Sequence, residues 1–272
     1  MPPAADVVAI GDSHTYGNTA AMSDAWPSIT ARQTGFLVYN LGMGGYGPNQ
    51  YYYLLTTKGF RLHPKWVLCG LYMGDDFENA FMITHGLDYW SSLRKQRWDP
   101  VNPDIWGGAE VSVRGAALRN WLSEHSIVYR LVFHGPLLSV VKEAIRFKQA
   151  SGEDDPYTTA LIVADQDIRE AFRPIGMAER LNQASGPVQE GMRITFDLLT
   201  AMDSACRQEG CKFIVVIIPT KETVFSEYIE NNPKLHLHEV LDRVIVNERS
   251  ARKALVNYLD GQGIAYIDTL PA

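Results

Sequence analysis

Short apolar runs alternate with amphipathic stretches along much of the chain. Helical spacing of apolar positions marks Trp26–Gln33, Glu190–Gln208 and a segment within Val240–Leu259. Strand-length apolar runs lie at Asp6–Ile10, Phe36–Tyr39, Trp66–Tyr72, Lys212–Ile218 and Ile264–Ile267. Strands that alternate with helices in this way predict βαβ units and a mainly parallel sheet. Five strands predict an α/β fold, a flavodoxin-like three-layer α/β/α sandwich.

The alternation stops in the middle of the chain. Residues 77–189 contain no convincing buried strand, and their pattern predicts helices at Ala116–Phe133 and Pro136–Gln149. A linker rich in Gly, Asp and Pro follows at Ser151–Pro156. We therefore expect a single α/β domain over residues 1–272, with a helical insertion at about 77–189 that acts as a lid or a substrate-recognition segment.

Composition narrows the range of partners. The 272 residues are 46% apolar and 21% charged, with a net charge of −6 and no run of Lys or Arg. This excludes nucleic acid or an anionic membrane as the main partner. No apolar run reaches the roughly 18 residues of a spanning helix, and no signal-peptide pattern opens the sequence. The compartment stays undetermined, and a longer parent chain that is extracytoplasmic or tethered to a membrane is compatible with these residues.

The three cysteines, Cys69, Cys206 and Cys211, lack the spacing of metal ligands. Cys69 lies in an apolar run and is expected to be a buried, inert thiol. We expect no metal and no cofactor.

Three polar segments that contain glycine follow the first three predicted strands. They are Gly11-Asp-Ser13, Asn40–Gly45 and Met73–Phe77. Because ligands of open parallel sheets bind beyond the carboxyl ends of the strands, the three segments should meet at one site. Each also has a simpler interpretation: Asp12 or Ser13 could cap a helix, and the glycines could serve a tight turn.

Taken in order, the three segments resemble the first three motif blocks of the SGNH/GDSL hydrolase superfamily. The resemblance implies that Ser13 is the nucleophile and that the N–H groups of Ser13 and Gly45 bind the oxyanion. The third donor, an Asn side chain in the family, falls on Asp75, and Met73 replaces a glycine of that block. The change at Asp75 is chemically large, because an ionised Asp accepts hydrogen bonds and cannot donate them.

The last block of the family, Asp-x-x-His, does not occur in this sequence, which ends Asp268–Ala272. We interpret the chain as lacking the segment that carries the catalytic base and predict little turnover of p-nitrophenyl acetate by these residues alone. Asp268 is expected to be a strand-end residue. Of the histidines present, His14 is expected to have a surface or binding role, and His85 could line the cleft.

A further resemblance concerns specificity. Pro219–Glu222, together with Glu190-Gly191, resembles a subset of SGNH proteins that have a long insertion and are associated with bacterial surface polysaccharide. Asp12, His14, Lys221 and Glu222 are the predicted substrate contacts. Four aromatic residues of the insertion could stack on sugar rings or belong to the core: Tyr89, Trp90, Trp98 and Trp106.

Three functions are compatible with these residues. The first is hydrolysis or transfer of an acyl group, O-acetyl on a carbohydrate, through an acyl-Ser13 intermediate, with a small-molecule or polysaccharide acyl ester as partner. The second is a non-catalytic carbohydrate-binding module. The third is phosphoryl chemistry on a Mg²⁺ ion held by Asp12, Asp75 and Asp76.

Overall fold

The computed structural model describes residues 4–18, 20–96, 98–99, 161–164, 169–172, 174–231 and 238–270. The predicted helices at Ala116–Phe133 and Pro136–Gln149 and the linker Ser151–Pro156 lie outside the described residues.

A five-stranded parallel sheet forms the centre of the fold. Its strands are β1 (Val7–Gly11), β2 (Val38–Asn40), β3 (Trp66–Tyr72), β6 (Lys212–Ile218) and β7 (Ala265–Asp268). Their order is β2-β1-β3-β6-β7, and every neighbouring pair is parallel. All five residues of β1 are buried, as expected for a parallel strand covered on both faces. The predicted flavodoxin-like α/β sandwich is confirmed.

The predicted helices at Trp26–Gln33, Glu190–Gln208 and within Val240–Leu259 are present, with bounds that differ by a few residues, and further helices occur that the pattern did not predict. The helices that carry the argument below are α1 (Ser13–Tyr16), α2 (Trp26–Thr34), α3 (Pro48–Leu54), α4 (Asp76–Gly86), α5 (Pro174–Arg180), α6 (Gly186–Gln208), α7 (Lys221–Val224), α8 (Ser226–Glu230) and α9 (His238–Gln262). A π-helical turn, Leu55–Gly59, extends α3, and 3₁₀ turns occur at Met22–Asp24, Phe60–Leu62 and Asp88–Leu93.

One pair of strands was missed by the sequence pattern. Within the predicted insertion, β4 (Leu161–Ala164) and β5 (Arg169–Phe172) form a two-stranded antiparallel sheet. β5 carries Arg169 and Glu170 and therefore has no apolar run to reveal it. Its last residue, Phe172, is buried with Ile229 and Leu241 of α8 and α9.

The start of the predicted insertion belongs to the core of the sandwich. Phe77 of α4 is buried in the main hydrophobic cluster with residues of β1, β3 and β6. Where α4 and α6 cross, a Cβ on Gly191 would lie 2.0 Å from the carbonyl oxygen of Phe77. Gly191 therefore lets the two helices approach closely, which gives the Glu190-Gly191 pair a packing role.

No helix of the described residues combines the length and the hydropathy needed to cross a membrane.

Candidate active site

The turn after β1 carries Ser13, and Asp12 of the same turn caps the short helix α1. Asp12 is the N-cap of α1, and its Oδ1 accepts the N–H of His14 at 2.9 Å. Capping is therefore done by Asp12, and Ser13 is the first helical residue. The Ser13 hydroxyl makes one hydrogen bond with a described residue, a contact of 3.5 Å with Asp12 Oδ2. Its oxygen is thus left available for chemistry.

Two glycines on neighbouring strands make room for this turn. Gly11 of β1 and Gly70 of β3 are register partners. A Cβ on Gly11 would lie 2.1 Å from Thr15 Oγ1, and a Cβ on Gly70 would lie 2.3 Å from the same atom. Thr15 is fully buried in the space that the two glycines leave. The short helix that carries Ser13 is therefore seated directly on the strand ends.

Asn40, at the end of β2, ties the glycine-rich loop to the Ser13 turn. Its Nδ2 donates to the carbonyl of Thr15 at 2.8 Å, and its Oδ1 accepts the N–H of Gly42 at 2.8 Å. The N–H of Met43 adds a 3.0 Å bond to the carbonyl of Gly11. A Cβ on Gly42 would lie 2.7 Å from the backbone nitrogen of Tyr16. The loop and the turn thus form one hydrogen-bonded unit.

Gly45 lies at the exposed tip of this loop with φ +78°, in the left-handed region that favours glycine. The N–H groups of Ser13 and Gly45 donate no hydrogen bond to another described residue. Two free N–H groups on one unit can bind a developing oxyanion.

Asp75 follows β3 at the same edge of the sheet. It is the N-cap residue of α4, but its side chain makes no capping hydrogen bond, and its Oδ1 is buried without a partner among the described residues. Burial, reinforced by the Asp12 carboxyl, raises the pKa of Asp75 to about 6, while Arg180 of α5 acts in the opposite direction. Asp75 is therefore a carboxyl group that gains a proton in mildly acidic solution.

The next residue, Asp76, points into the core. It is fully buried, accepts the N–H of Tyr72 at 2.8 Å on Oδ2, and lies 2.7 Å from the hydroxyl of Tyr51 on Oδ1. Among the described residues, no three His, Cys, Asp or Glu side chains are grouped so that they could hold a metal ion. The grouping of Asp12, Asp75 and Asp76 that the phosphoryl hypothesis needs is therefore not formed.

Tyr72 is a residue of this edge that the sequence analysis missed. Its ring contacts the ring of His14, with centroids 3.9 Å apart. Burial, followed by the carboxyls of Glu222, Asp75 and Glu248, raises the pKa of Tyr72. The phenol is therefore a hydrogen-bond donor throughout the neutral range. An aromatic residue at the end of an apolar strand gives no signal of such a position.

Glu222 and Lys221 start α7 after β6. Thr220 caps this helix, and Glu248 of α9 accepts the hydroxyl of Thr220 and, at 2.6 Å, the hydroxyl of Thr223. Glu222 is fully buried, and Lys221 Nζ lies 5.7 Å from the ring centroid of Phe172. The segment predicted to contact substrate is thus a packed helix start, with the Glu222 side chain buried.

His85 does not line the cleft, contrary to the expectation. Its ring is buried against Phe81, with centroids 4.7 Å apart, and its Nε2 lies 3.8 Å from Glu190 Oε1. Glu190 is held in turn by two hydrogen bonds from Arg193, at 2.7 and 2.6 Å. Burial lowers the pKa of His85. α4 turns this side chain towards α6, so His85 and Glu190 belong to the packing between the two helices.

The remaining predicted residues divide between surface and core. Trp90 packs against the cluster of Ala80, Ile194 and Leu198, and Trp98 packs on Phe81. The three cysteines are buried free thiols, and Asp268 ends β7. Tyr89 is 72% exposed. Trp106 lies outside the described residues, as do two further histidines of the insertion, His125 and His134.

No family model matches the chain, and no curated protein sequence matches it. Solved structures that are similar to it include the following three. A candidate lipolytic protein of the G-D-S-L family from Desulfitobacterium hafniense is 11% identical with a TM-score of 0.42, and the match covers 96% of this chain and 75% of that one. A candidate acylhydrolase from Bacteroides fragilis is 11% identical with a TM-score of 0.37, covering 96% and 66%.

The third, a GDSL-like lipase from Bacteroides thetaiotaomicron, is 10% identical with a TM-score of 0.38, covering 96% and 67%. Two of the three descriptions name the family that the motif order of this sequence resembles. At these identities and TM-scores, the residues of the site, and not the likeness, carry the functional argument.

Proposed function

We propose that the protein is an SGNH-type esterase or O-acyltransferase in which Ser13 is the nucleophile. One observation carries the proposal: Asp12 supplies the helix cap and leaves the Ser13 hydroxyl available, while Asn40 fastens the Gly45 loop to the same turn. A nucleophile and an oxyanion site held in one unit are what acyl transfer through a covalent intermediate requires.

The reaction would proceed in two steps. Ser13 Oγ attacks the acyl carbon and loses its proton, the ester C–O bond breaks, and the alcohol leaves with a proton. Water or a sugar hydroxyl then attacks acyl-Ser13, which gives hydrolysis or transfer. The negative oxygen of each tetrahedral intermediate would accept the N–H groups of Ser13 and Gly45, and Asp75 would be a third donor when protonated.

A base for Ser13 is not supplied by the described residues. A general base lies about 2.6–3.2 Å from the proton-bearing atom, or acts through one water. Asp12 Oδ2 is 3.5 Å from the Ser13 hydroxyl, and Asp12 is already used as a cap. The ring of His14 is turned onto Tyr72, and His85 is buried between helices. We therefore place the base outside the described residues.

The finer part of the proposal is the substrate, an O-acetylated carbohydrate. It is supported by the resemblance of Pro219–Glu222 to proteins associated with surface polysaccharide and by the exposed ring of Tyr89. His14, exposed beside Ser13, is the substrate contact that the geometry favours most. Glu222 is buried, and its charge acts on the neighbouring site by raising the pKa of Tyr72.

The test is release of acetate from O-acetylated polysaccharides and from p-nitrophenyl acetate, by wild type and Ser13→Ala. We expect a rate that depends on Ser13 and is low for p-nitrophenyl acetate with these residues alone, and we expect the polysaccharide to be preferred over the nitrophenyl ester. Equal rates for the two proteins would overturn the assignment of Ser13 as the nucleophile. A preference for p-nitrophenyl acetate would overturn only the proposal that the substrate is an O-acetylated carbohydrate.

A second candidate, a carbohydrate-binding module, is favoured by two observations. No described histidine contacts the Ser13 hydroxyl, and the position of the third oxyanion donor carries a carboxyl group. This function predicts that calorimetry detects binding of the same O-acetylated polysaccharide, that Ser13→Ala leaves the affinity unchanged, and that neither protein releases acetate.

A further inference from the structure

A buried chain of hydrogen bonds joins Asp76 to the glycine-rich loop. The hydroxyl of Tyr51, on α3, lies 2.7 Å from Asp76 Oδ1 and 3.1 Å from the carbonyl oxygen of Tyr46. Tyr46 directly follows Gly45, and its own N–H donates to the carbonyl of Met43 at 3.2 Å. Tyr51 and Asp76 are both fully buried. Bulk solvent therefore does not reach these groups.

The number of protons available to these three groups limits which of them can donate. A tyrosine hydroxyl has a single proton, and a carbonyl oxygen can only accept. Both contacts of Tyr51 are therefore full hydrogen bonds in one arrangement alone: Tyr51 donates to Tyr46, and Asp76 Oδ1 carries a proton that it donates to Tyr51. The other oxygen, Oδ2, accepts the N–H of Tyr72, as the carbonyl oxygen of a neutral acid does.

The surroundings of Asp76 favour the same protonation state. The ionisable groups that face it are Tyr51, the carboxyls of Asp12 and Asp75, and the thiol of Cys69. Burial, with the two carboxyls adding to it, raises the pKa of Asp76 well above its ordinary value, while the contact with the Tyr51 hydroxyl and the hydrogen bond from the N–H of Tyr72 act in the opposite direction. An ionised carboxylate buried without a cation is costly.

We propose that Asp76 is a protonated positioning residue, and that the chain from Asp76 through Tyr51 to Tyr46 fixes the loop that presents the Gly45 N–H. The proton on Asp76 is inferred from the hydrogen-bond geometry and from burial beside two carboxyls, with no reference to activity. Only the consequence for catalysis rests on the proposed function. The two parts can therefore be tested separately.

The first test is infrared difference spectroscopy between wild type and Asp76→Asn, with ¹³C-labelled aspartate to identify the band. We expect the wild type to show the C=O band of a carboxylic acid at pH 7, absent from Asp76→Asn. A difference at pH 7 that contains only carboxylate bands would overturn the assignment. This measurement needs no activity, so it decides the point even if the proposed function fails.

The second test compares acetate-release rates of three variants. Asp76→Asn keeps the hydrogen bonds, because the amide nitrogen can donate to Tyr51 and the amide oxygen can accept from Tyr72. We therefore expect its kcat to lie within about threefold of wild type. Tyr51→Phe breaks the chain, and we expect kcat to fall about tenfold or more with KM little changed. Tyr53→Phe, which removes a hydroxyl from the exposed face of the same helix, is the control and should have no effect.

A loss in Asp76→Asn as large as that in Tyr51→Phe would contradict the proposal, because an ionised Asp76 that only accepts hydrogen bonds cannot be replaced by an amide. A kcat of Tyr51→Phe equal to that of the control would also contradict it.

Discussion

The imidazole ring of His14 lies against the phenol ring of Tyr72, with centroids 3.9 Å apart and planes tilted by 36°. This contact joins the residue after Ser13 to the end of β3. Gly74 makes it possible, since a Cβ there would lie 2.4 Å from two ring carbons of Tyr72. The position of His14 beside the nucleophile therefore depends on the absence of a side chain at residue 74.

Gly74→Ala should displace the Tyr72 ring and lower activity. We expect kcat/KM to fall about tenfold, which corresponds to about 1.4 kcal/mol of transition-state stabilisation. Gly86→Ala, at the other end of α4, is the matched control because a Cβ there meets nothing within 4 Å. Steady-state kinetics on the two variants checks the prediction. Equal effects would show that the Tyr72–His14 contact has no part in the site.

Asn40→Asp should release the glycine-rich loop from the Ser13 turn. A carboxylate can still accept the N–H of Gly42, but it cannot donate to the carbonyl of Thr15 and repels it. We expect activity to fall about tenfold or more. Complete loss of one oxyanion donor costs about 2.7–4 kcal/mol of transition-state stabilisation, and a displaced donor loses part of that amount. Asn40 is exposed, so the thermal midpoint should move little. A large drop in that midpoint with unchanged kcat would assign Asn40 to stability alone.

Asp75 should give the enzyme an acidic pH optimum. Below its pKa of about 6 the carboxyl can donate to the oxyanion, and above it the charge repels the oxyanion. Unit charges about 4 Å apart at an effective dielectric near 20 repel by about 4 kcal/mol. In wild type, kcat/KM should therefore fall as pH rises through about 6, and Asp75→Asn should lack this fall. Loss of activity in Asp75→Asn at every pH would mean that the carboxylate has a role that an amide cannot fill.

Stability should follow the same titration. In the folded protein the pKa of Asp75 is raised from its ordinary value of 3.8 to about 6. As pH rises, Asp75 therefore loses its proton at a lower pH in the unfolded chain than in the folded protein. The wild-type free energy of unfolding should then decrease as pH rises from about 4 to about 6, by on the order of 2–3 kcal/mol from this group. Asp75→Asn should remove that decrease and be the more stable protein at neutral pH. Denaturant unfolding across this range checks the sign.

Alanine substitutions at two helical glycines distinguish the effect of close packing on stability from the effect of helix propensity. Gly191→Ala would place a Cβ 2.0 Å from the carbonyl of Phe77, whereas Gly261→Ala, on α9, meets nothing within 4 Å. We expect Gly191→Ala to destabilise the protein by about 1–3 kcal/mol or more. Gly261→Ala should stabilise it by about 0.5–1 kcal/mol, because alanine is the better helix former. Urea midpoints that shift alike would contradict the close crossing of α4 and α6.

The sequence alone predicted the sheet, because its five strands are apolar runs bounded by turn residues. β3 and β6 have the bounds that the pattern indicated, Trp66–Tyr72 and Lys212–Ile218. It failed at β4 and β5, two strands of four residues that pair with each other. β5 includes the charged residues Arg169 and Glu170. β4 is a short apolar run, Leu161–Ala164, inside a segment that was assigned to a helical insertion.

For the site, the motifs predicted Ser13, the Gly45 loop and Asp75, which stay predictions, but the supporting contacts could not be predicted. Asn40 bonds to Gly42 in its own loop and to Thr15, and Tyr51 contacts Tyr46 and Asp76. The contacts with Thr15 and Asp76 each join residues that are 25 positions apart in the sequence. Nor did the order of Asp12 and Ser13 reveal which of them caps α1, since both residue types favour that position.

The most direct test of the account is to trap the acyl-enzyme. The protein is incubated with p-nitrophenyl acetate, quenched in acid, and analysed by intact mass and by mass spectrometry of its peptides. We predict one added acetyl group, located on Ser13 and absent from Ser13→Ala. Acetyl groups that label lysines alone, or that label wild type and Ser13→Ala to the same extent at another site, would contradict Ser13 as the nucleophile.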